Sequence, residues 1–329
     1  MTRKALITGI CGQDGAWLSK FLLEKGYEVY GVGRSINDHK IWALKELGIE
    51  NKIELISGDI TDANFVSGLL KEKQPDECYN FAAVSFVGQS WKIPVATMNN
   101  NTTAVLNILD AIRYNSPHTR MYQPGSSEMF GRPDNDFQNE ETNFSPCNPY
   151  GVSKAAGFYL AKIYREAYKI FVCNAICYNH ESEMRGIEYV TRKITDGVVR
   201  IKLGLASELR LGNIKVSRDW GNAEDFVEAM WLMLQQDKPD DYILSTGELH
   251  TMEEFLEIAF AVVGIKEWKK YVIEDEKFFR PLEPLVLRGN HSKATKLLGW
   301  APKINFEETV RRMVEADVER LKDLKTTED

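Results

Sequence analysis

With 329 residues and a net charge of −7, the chain can bury a large core and shows no basic excess that would favour nucleic acid. No apolar run reaches membrane length, and Met1-Thr2-Arg3-Lys4 leads straight into a strand-like segment, so neither a membrane span nor a signal peptide is expected. Five cysteines, an odd number without paired spacing, suit a reducing cytoplasm.

Lys4 to Thr8 reads as a buried strand that runs into Gly9, Gly12 and Gly15, after which Ala16-Trp17-Leu18 and Phe21-Leu22-Leu23 take a helical period. Strand, glycine turn and helix form the context of a dinucleotide site. The glycines let the backbone approach a pyrophosphate, and the helix N-terminus offers free amides and a positive dipole end. Gln13 and Asp14, inside that turn, are counted with the glycines as cofactor candidates.

A second strand, Glu28 to Val32, ends in Gly33-Arg34-Ser35, with no acid before Asp38 to grip the ribose hydroxyls of NAD. The Arg34 guanidinium suits a ribose 2'-phosphate, which favours NADP over NAD, the alternative being a solvated surface arginine. The third strand, Ile53 to Ser57, ends in Gly58-Asp59, and the fourth, Cys78 to Phe81, in Ala82-Ala83-Val84-Ser85. Both ends face one crevice in such a fold. Asp59 and the adjacent Ile60 are candidate adenine contacts, Asp59 being equally readable as a cap partner to Thr61-Asp62. Ala82 and Ala83 leave space beside a cofactor, and Ser85 is a candidate contact to cofactor and substrate.

Further along come Gly125-Ser126-Ser127-Glu128 and then Tyr150-Gly151-Val152-Ser153-Lys154. Tyr150 and Lys154 are four residues apart in a helical pattern and project from one face. An adjacent ammonium is expected to stabilise the phenolate and bring its pKa toward the working pH, as alcohol oxidation requires. The pattern is short, and its partners decide whether it is catalytic.

Alternating strands and helices continue to about Ile176, which predicts an α/β fold with a Rossmann-type, doubly wound parallel sheet and right-handed crossovers. Residues 1–180 are assigned to dinucleotide binding, with later segments returning to that lobe, and 181–329 mainly to a smaller α/β substrate lobe. A Thr251–Glu254 capping box opens a helix running to Val263, and the charged tail from Asp323 is expected to fray. His180 with Cys173 and Cys177 invites a metal reading. Their spacing across one strand end makes a satisfied core group the better account, so no metal is expected.

Several blocks occur in order: TGICGQDG from Thr8, YGVSK from Tyr150, YNHES at Tyr178 to Ser182, and RGIEYVTRKITDGVVRIKLG at Arg185 to Gly204. SRDWGNAEDFVEAMWLMLQQDKPDDY at Ser217 to Tyr242, FFRPLE at Phe278 to Glu283 and KLLGWAPK at Lys296 to Lys303 complete the set. From Ala5 to about Val318 the chain resembles the extended short-chain dehydrogenases, specifically GDP-mannose 4,6-dehydratases. The resemblance implies that Tyr150 takes the proton of the sugar 4-hydroxyl as hydride passes to NADP, with Ser126 on that oxygen and Lys154 on the nicotinamide ribose. Glu128 then removes the proton at carbon five and protonates the departing hydroxyl of carbon six, and hydride returns to carbon six. NADP is therefore retained tightly and recycled.

By the same resemblance Ser85, Glu128, Asn179, Lys193, Arg218, Arg280 and Glu283 line the GDP-sugar pocket, and Arg185 reaches the cofactor. The apolar stripes on the Tyr150 helix and on Val105 to Ile112 exceed one core face, and since such helices pair into a dimer bundle in the resembled family, the resemblance implies a homodimer or homotetramer. The chain departs from the family at Ser126, where threonine is usual in the motif STSE, at Val84, and at Asn99 to Thr103. These departures leave open a related GDP-sugar such as a GDP-heptose, a sugar-nucleotide reductase, epimerase or C4-oxidising enzyme, or a silent nucleotide-sugar sensor.

Overall fold

A computed structural model describes residues 2–284 and 286–322, so the tail expected to fray from Asp323 lies outside the described residues. The first half alternates as read. It contains β1 (Lys4–Thr8), α1 (Gln13–Glu24), β2 (Glu28–Gly33), α2 (Trp42–Glu46), β3 (Glu54–Ser57), α3 (Ala63–Lys73) and β4 (Glu77–Asn80). It continues with α4 (Val87–Ser90), α5 (Pro94–Met98), α6 (Ala104–Asn115), β5 (Arg120–Pro124), α7 (Pro149–Tyr168) and β6 (Val172–Cys177). Strand ends differ from expectation by one residue: β3 starts at Glu54 rather than Ile53, and β4 runs from Glu77 to Asn80 rather than Cys78 to Phe81.

The second half supplies β7 (Asn179–Glu181), α8 (Val190–Leu203), β8 (Leu209–Leu211), β9 (Ser217–Arg218), β10 (Trp220–Asn222) and α9 (Ala223–Gln235). After these come β11 (Asp241–Leu244), β12 (His250–Thr251), α10 (Met252–Val262), β13 (Val272–Glu274), α11 (Ser292–Leu298) and α12 (Phe306–Leu321). The capping box at Thr251 and Glu254 is formed.

Seven strands make the central sheet in the order β11-β6-β5-β4-β1-β2-β3, with parallel pairing throughout. Helices cover both faces, so β4, β6 and β11 are buried at every residue, and their polar members Glu77, Asn80, Asn174 and Asp241 each have a hydrogen-bond partner. β11, α9 and α11 return to this layer: Phe226, Met230, Tyr242 and Trp300 share a core with Ile7, Trp17 and Leu18 of β1 and α1. A separate core joins α8, α10 and α12 through Ile194, Phe255, Phe260 and Val310.

The apolar residues Val105, Ile108, Leu109 and Ile112 of α6 are all buried in the chain's own core. Their apparent surplus is therefore used internally. α7 differs, because Val152, Tyr159 and Ile163 remain exposed on the side away from its buried stripe.

Candidate active site

The order of the sheet reverses between β1 and β4, and in open α/β sheets ligands bind at the carboxyl ends of the strands flanking that point. A cavity of about 1340 Å³ opens there, larger than the ~300–1,000 Å³ of a site for one small molecule. Gly9, Gly12, Gln13, Asp14 and Gly15 line one end. Gly9 has a φ of +69°, and a Cβ there would lie 2.7 Å from the Ala82 amide nitrogen, so only glycine lets β1 and β4 meet at this corner. Gly12 caps α1 without a side-chain hydrogen bond, leaving the first-turn amides for an anion.

This loop is latched to β7. Gln13 Nε2 donates to the His180 carbonyl at 3.0 Å, and Ser182 Oγ donates to Gln13 Oε1 at 2.8 Å. His180 Nε2 lies 3.1 Å from Asp14, its Nδ1 is 2.8 Å from the Tyr178 carbonyl, and its ring stacks on Phe226. His180 is thus satisfied as a core group, as its position in the strand end suggested. Burial works to raise the Asp14 pKa, yet His180, Gln13 and Arg185 outweigh it and hold the carboxyl down to about 2. Burial likewise opposes the charge on His180, and Asp14 more than reverses it, so the imidazole holds its proton more tightly than usual.

Ser126, Glu128, Tyr150 and Lys154 converge on the next stretch of wall, all buried. Ser126 starts a 3₁₀ turn over Ser127–Met129, with the Glu128 amide donating to its Oγ at 3.3 Å. Asn148 joins the two segments: its Oδ1 caps α7 by accepting from the Gly151 amide at 2.8 Å, and its Nδ2 donates to Glu128 Oε2 at 2.7 Å. A Cβ on Gly151 would fall 2.4 Å from the Glu128 carbonyl oxygen, so glycine is what allows α7 to start against this turn.

Lys154 Nζ donates to the Pro124 carbonyl at 3.0 Å and sits 5.8 Å from the centre of the Tyr150 ring. Burial lowers its pKa to about 8, against the charges of Cys177 and Asp14. Tyr150 departs from expectation: burial pushes its phenol above the ordinary value, and the hydrogen bond from Ser126 only partly offsets this. Desolvation wins because the ammonium is aimed at a carbonyl rather than at the phenol oxygen.

Across the cavity stand Asn179, Arg185, Lys193, Arg218, Arg280 and Glu283. Arg280 Nη1 is 3.0 Å from Glu128 Oε1, and Arg218 Nη2 is 2.9 Å from Glu283 Oε2. Burial, then the charge of Arg280, pushes the Arg218 guanidinium below its usual range, which favours capture of an anion. Lys193 packs over the Phe278 ring at 3.9 Å and donates to the Arg210 carbonyl at 2.6 Å, its pKa lowered by burial.

Arg34, Asp59, Ile60 and Ala82 are not among the residues lining this cavity. Arg34 Nη1 lies 3.5 Å from Asn100 Oδ1; Asp59 accepts from the Thr61 amide at 2.9 Å and the Thr61 hydroxyl at 2.8 Å, the turn-capping geometry. Ile60 is buried, and the Ala82 amide donates to Thr8 Oγ1 at 3.1 Å. Val84 and 99–103 also stand outside the lining, although Asn101 brackets the Val84 backbone with bonds of 2.8 and 3.1 Å and reaches Ser153 Oγ at 2.9 Å. Sequence reasoning missed the roles of Asn148, Tyr189 and Asn101, the last met only as part of the Asn99 to Thr103 departure. An asparagine directly before Pro149 and a helical run is a cap signal that marks Asn148; no local pattern marks the other two.

The family described as GDP-mannose 4,6 dehydratase matches residues 6–313. Over 97% of this chain and 90% of the relative, the sequence is 48% identical to GDP-mannose 4,6 dehydratase 1 of Arabidopsis thaliana. The Homo sapiens GDP-mannose 4,6 dehydratase is 41% identical over 97% of this chain and 92% of its own length. Among solved structures, dTDP-glucose 4,6-dehydratase of Bacillus anthracis in complex with NAD superposes with a TM-score of 0.83 at 20% identity, covering 98% of each chain. With a glycine loop at the switch point, Tyr150 and Lys154 on one helix face and Glu128 beside them, this chain belongs to the GDP-mannose 4,6-dehydratase family.

Proposed function

We propose that this protein converts GDP-mannose to GDP-4-keto-6-deoxymannose, with loss of water and no net redox change. The observation that carries the reading is Glu128 on the same buried wall as Ser126 and Tyr150, opposite a guanidinium pair suited to a diphosphate. When bound, a nicotinamide dinucleotide supplies a hydride acceptor and donor. Tyr150 takes the proton of the 4-hydroxyl as carbon four becomes a ketone, and Ser126 holds that oxygen. The ketone acidifies carbon five, where Glu128 removes the proton; the same carboxyl then protonates the hydroxyl leaving carbon six as water, and the resulting enone takes hydride back at carbon six and the proton held by Tyr150 at carbon five. Arg218 and Arg280 neutralise the diphosphate, while Asn179, Ser85, Lys193 and Glu283 take nucleoside and sugar groups.

NADP is the proposed dinucleotide, supported by the lack of an acid at the end of β2, where Gly33-Arg34-Ser35 stands. Gly9, Gly12, Gln13, Asp14, Gly15, Ser85, Lys154 and Arg185, which line the cavity, complete the proposed contacts to it, whereas Asp59, Ile60 and Ala82 stand outside the cavity. In this reading residues 1–180 with the returning segments hold the dinucleotide, and the remainder mainly holds the GDP-sugar. The protein works in the cytoplasm as a homodimer or homotetramer; no described helix is long and apolar enough to cross a membrane.

The test is incubation of the purified protein with GDP-mannose and no added dinucleotide, followed by mass spectrometry. A product lighter by one water is expected. A product lighter by two hydrogens with the bound dinucleotide reduced indicates a C4-oxidising enzyme, an isomer of unchanged mass with the dinucleotide not reduced an epimerase, and unaltered bound substrate a sensor.

A further inference from the structure

Tyr189 brings a further phenol into the cavity, beside Tyr150 and Tyr178. It is the N-cap position of α8, on the segment that carries Arg185, and its hydroxyl lies 2.6 Å from Ser85 Oγ on the loop after β4. The contact bridges opposite walls. The ring is clamped from two sides, with the Arg185 guanidinium 3.7 Å above it and Phe86 edge-on at 5.7 Å. Such a clamp fixes the direction of the hydroxyl.

Two hydroxyls in one hydrogen bond use one of their two protons, leaving one O–H to donate outward and lone pairs to accept. Their mutual polarisation strengthens both outward bonds. A partner that both donates and accepts matches this pair, and a secondary hydroxyl of a pyranose ring does so. A carboxylate would leave the O–H partnered but the lone pairs repelled, and Arg185 already meets the need for a cation nearby.

We propose that Tyr189, acting as a unit with Ser85, binds a ring hydroxyl of the sugar and sets which GDP-sugars are accepted, a role resting on the function proposed above. Tyr189→Phe keeps the ring, its clamp and the cap backbone, and removes only the hydroxyl. The expected result is a roughly three- to tenfold rise in KM for GDP-mannose, the worth of about one neutral hydrogen bond, with kcat within about twofold. Wild-type protein should also discriminate against either the 2-deoxy or the 3-deoxy analogue of GDP-mannose, and the variant should lose that discrimination. Ser85→Ala combined with Tyr189→Phe should lose less than the product of the single effects. Wild-type KM and discrimination in Tyr189→Phe overturn the proposal, as does a defect confined to kcat or to retention of the dinucleotide. If the wild type does not dehydrate GDP-mannose, it is the underlying function that fails.

Discussion

Asp14 and His180 carry opposite and complementary shifts inside the cofactor loop. Asp14, held down to about 2, contributes stability that is present above its unfolded value near 4 and lost as pH falls through about 2. His180, shifted upward, contributes stability that is full below its unfolded value of about 6.5 and lost as pH rises through its folded value. The pair is therefore at full strength between roughly pH 4 and 6.5. Asp14→Asn should lower the melting temperature relative to wild type more at pH 5 than at pH 9, and His180 should titrate lower by NMR; an unmoved titration contradicts the pairing. Lys154 sets a second pH limit. With its pKa lowered to about 8, turnover should decline above that pH as the ammonium is lost, and Lys154→Arg, whose guanidinium stays charged, should remove that alkaline limb even at reduced rate. Glu128→Gln should retain slow reduction of bound dinucleotide and lose dehydration by about a hundred- to ten-thousand-fold; water loss at wild-type rate excludes Glu128 as the base. Glu128, Tyr150 and Lys154 were legible because each lies in a short local pattern. Tyr189 was not, since its meaning comes from Ser85, 104 residues away, and Asn101 acts through Ser153 at a separation of 52.

At the level of elements, the start of α7 is where chain order becomes chemistry. Asn148 both caps this helix and orients Glu128, so cap and base are coupled through one side chain. Gly151 permits the close approach that makes the coupling possible. Gly151→Ala should cost about 1–3 kcal/mol, because the clash is with backbone and cannot be relieved by a rotamer change. The variant is expected to melt below wild type and to lose dehydration before it loses reduction of the dinucleotide; a melting temperature at or above wild type contradicts the contact. The elements themselves were legible wherever the pattern is local: the glycine turn, the apolar strands and the Thr251 capping box all formed where expected. Strand ends moved by a residue because the last hydrogen bond is set by the neighbouring strand, as Phe81 shows by bonding to the Thr8 carbonyl while standing outside β4. The apolar surplus of α6 was misread for a related reason, since periodicity cannot say how many partners surround a helix. α3 and α7 both pack on it and bury what one face would leave exposed.

On the scale of the whole molecule, the central sheet accounts for the dinucleotide end of the cavity and the α8-α10-α12 core for the opposite wall, while α7 is left with apolar surface that neither core uses. Val152, Tyr159 and Ile163 are 42%, 52% and 56% exposed. Spacings of seven and four residues place all three on one side of the helix, within about 20° of a common line. A stripe of this kind, on the helix that also carries Tyr150 and Lys154, is suited to packing against another helix. In a symmetric dimer the same stripe would meet itself, burying both copies and holding the start of α7 against Glu128 from behind. Light scattering at micromolar concentration should therefore give a multiple of the monomer mass. Tyr159→Glu with Ile163→Lys should shift that mass to the monomer while leaving the far-ultraviolet circular dichroism unchanged, because both side chains are more than half exposed. If the active site depends on the contact, the monomeric variant will also bind GDP-mannose with a higher KM; a wild-type monomer, or a double variant that still associates, rules out α7 as the interface.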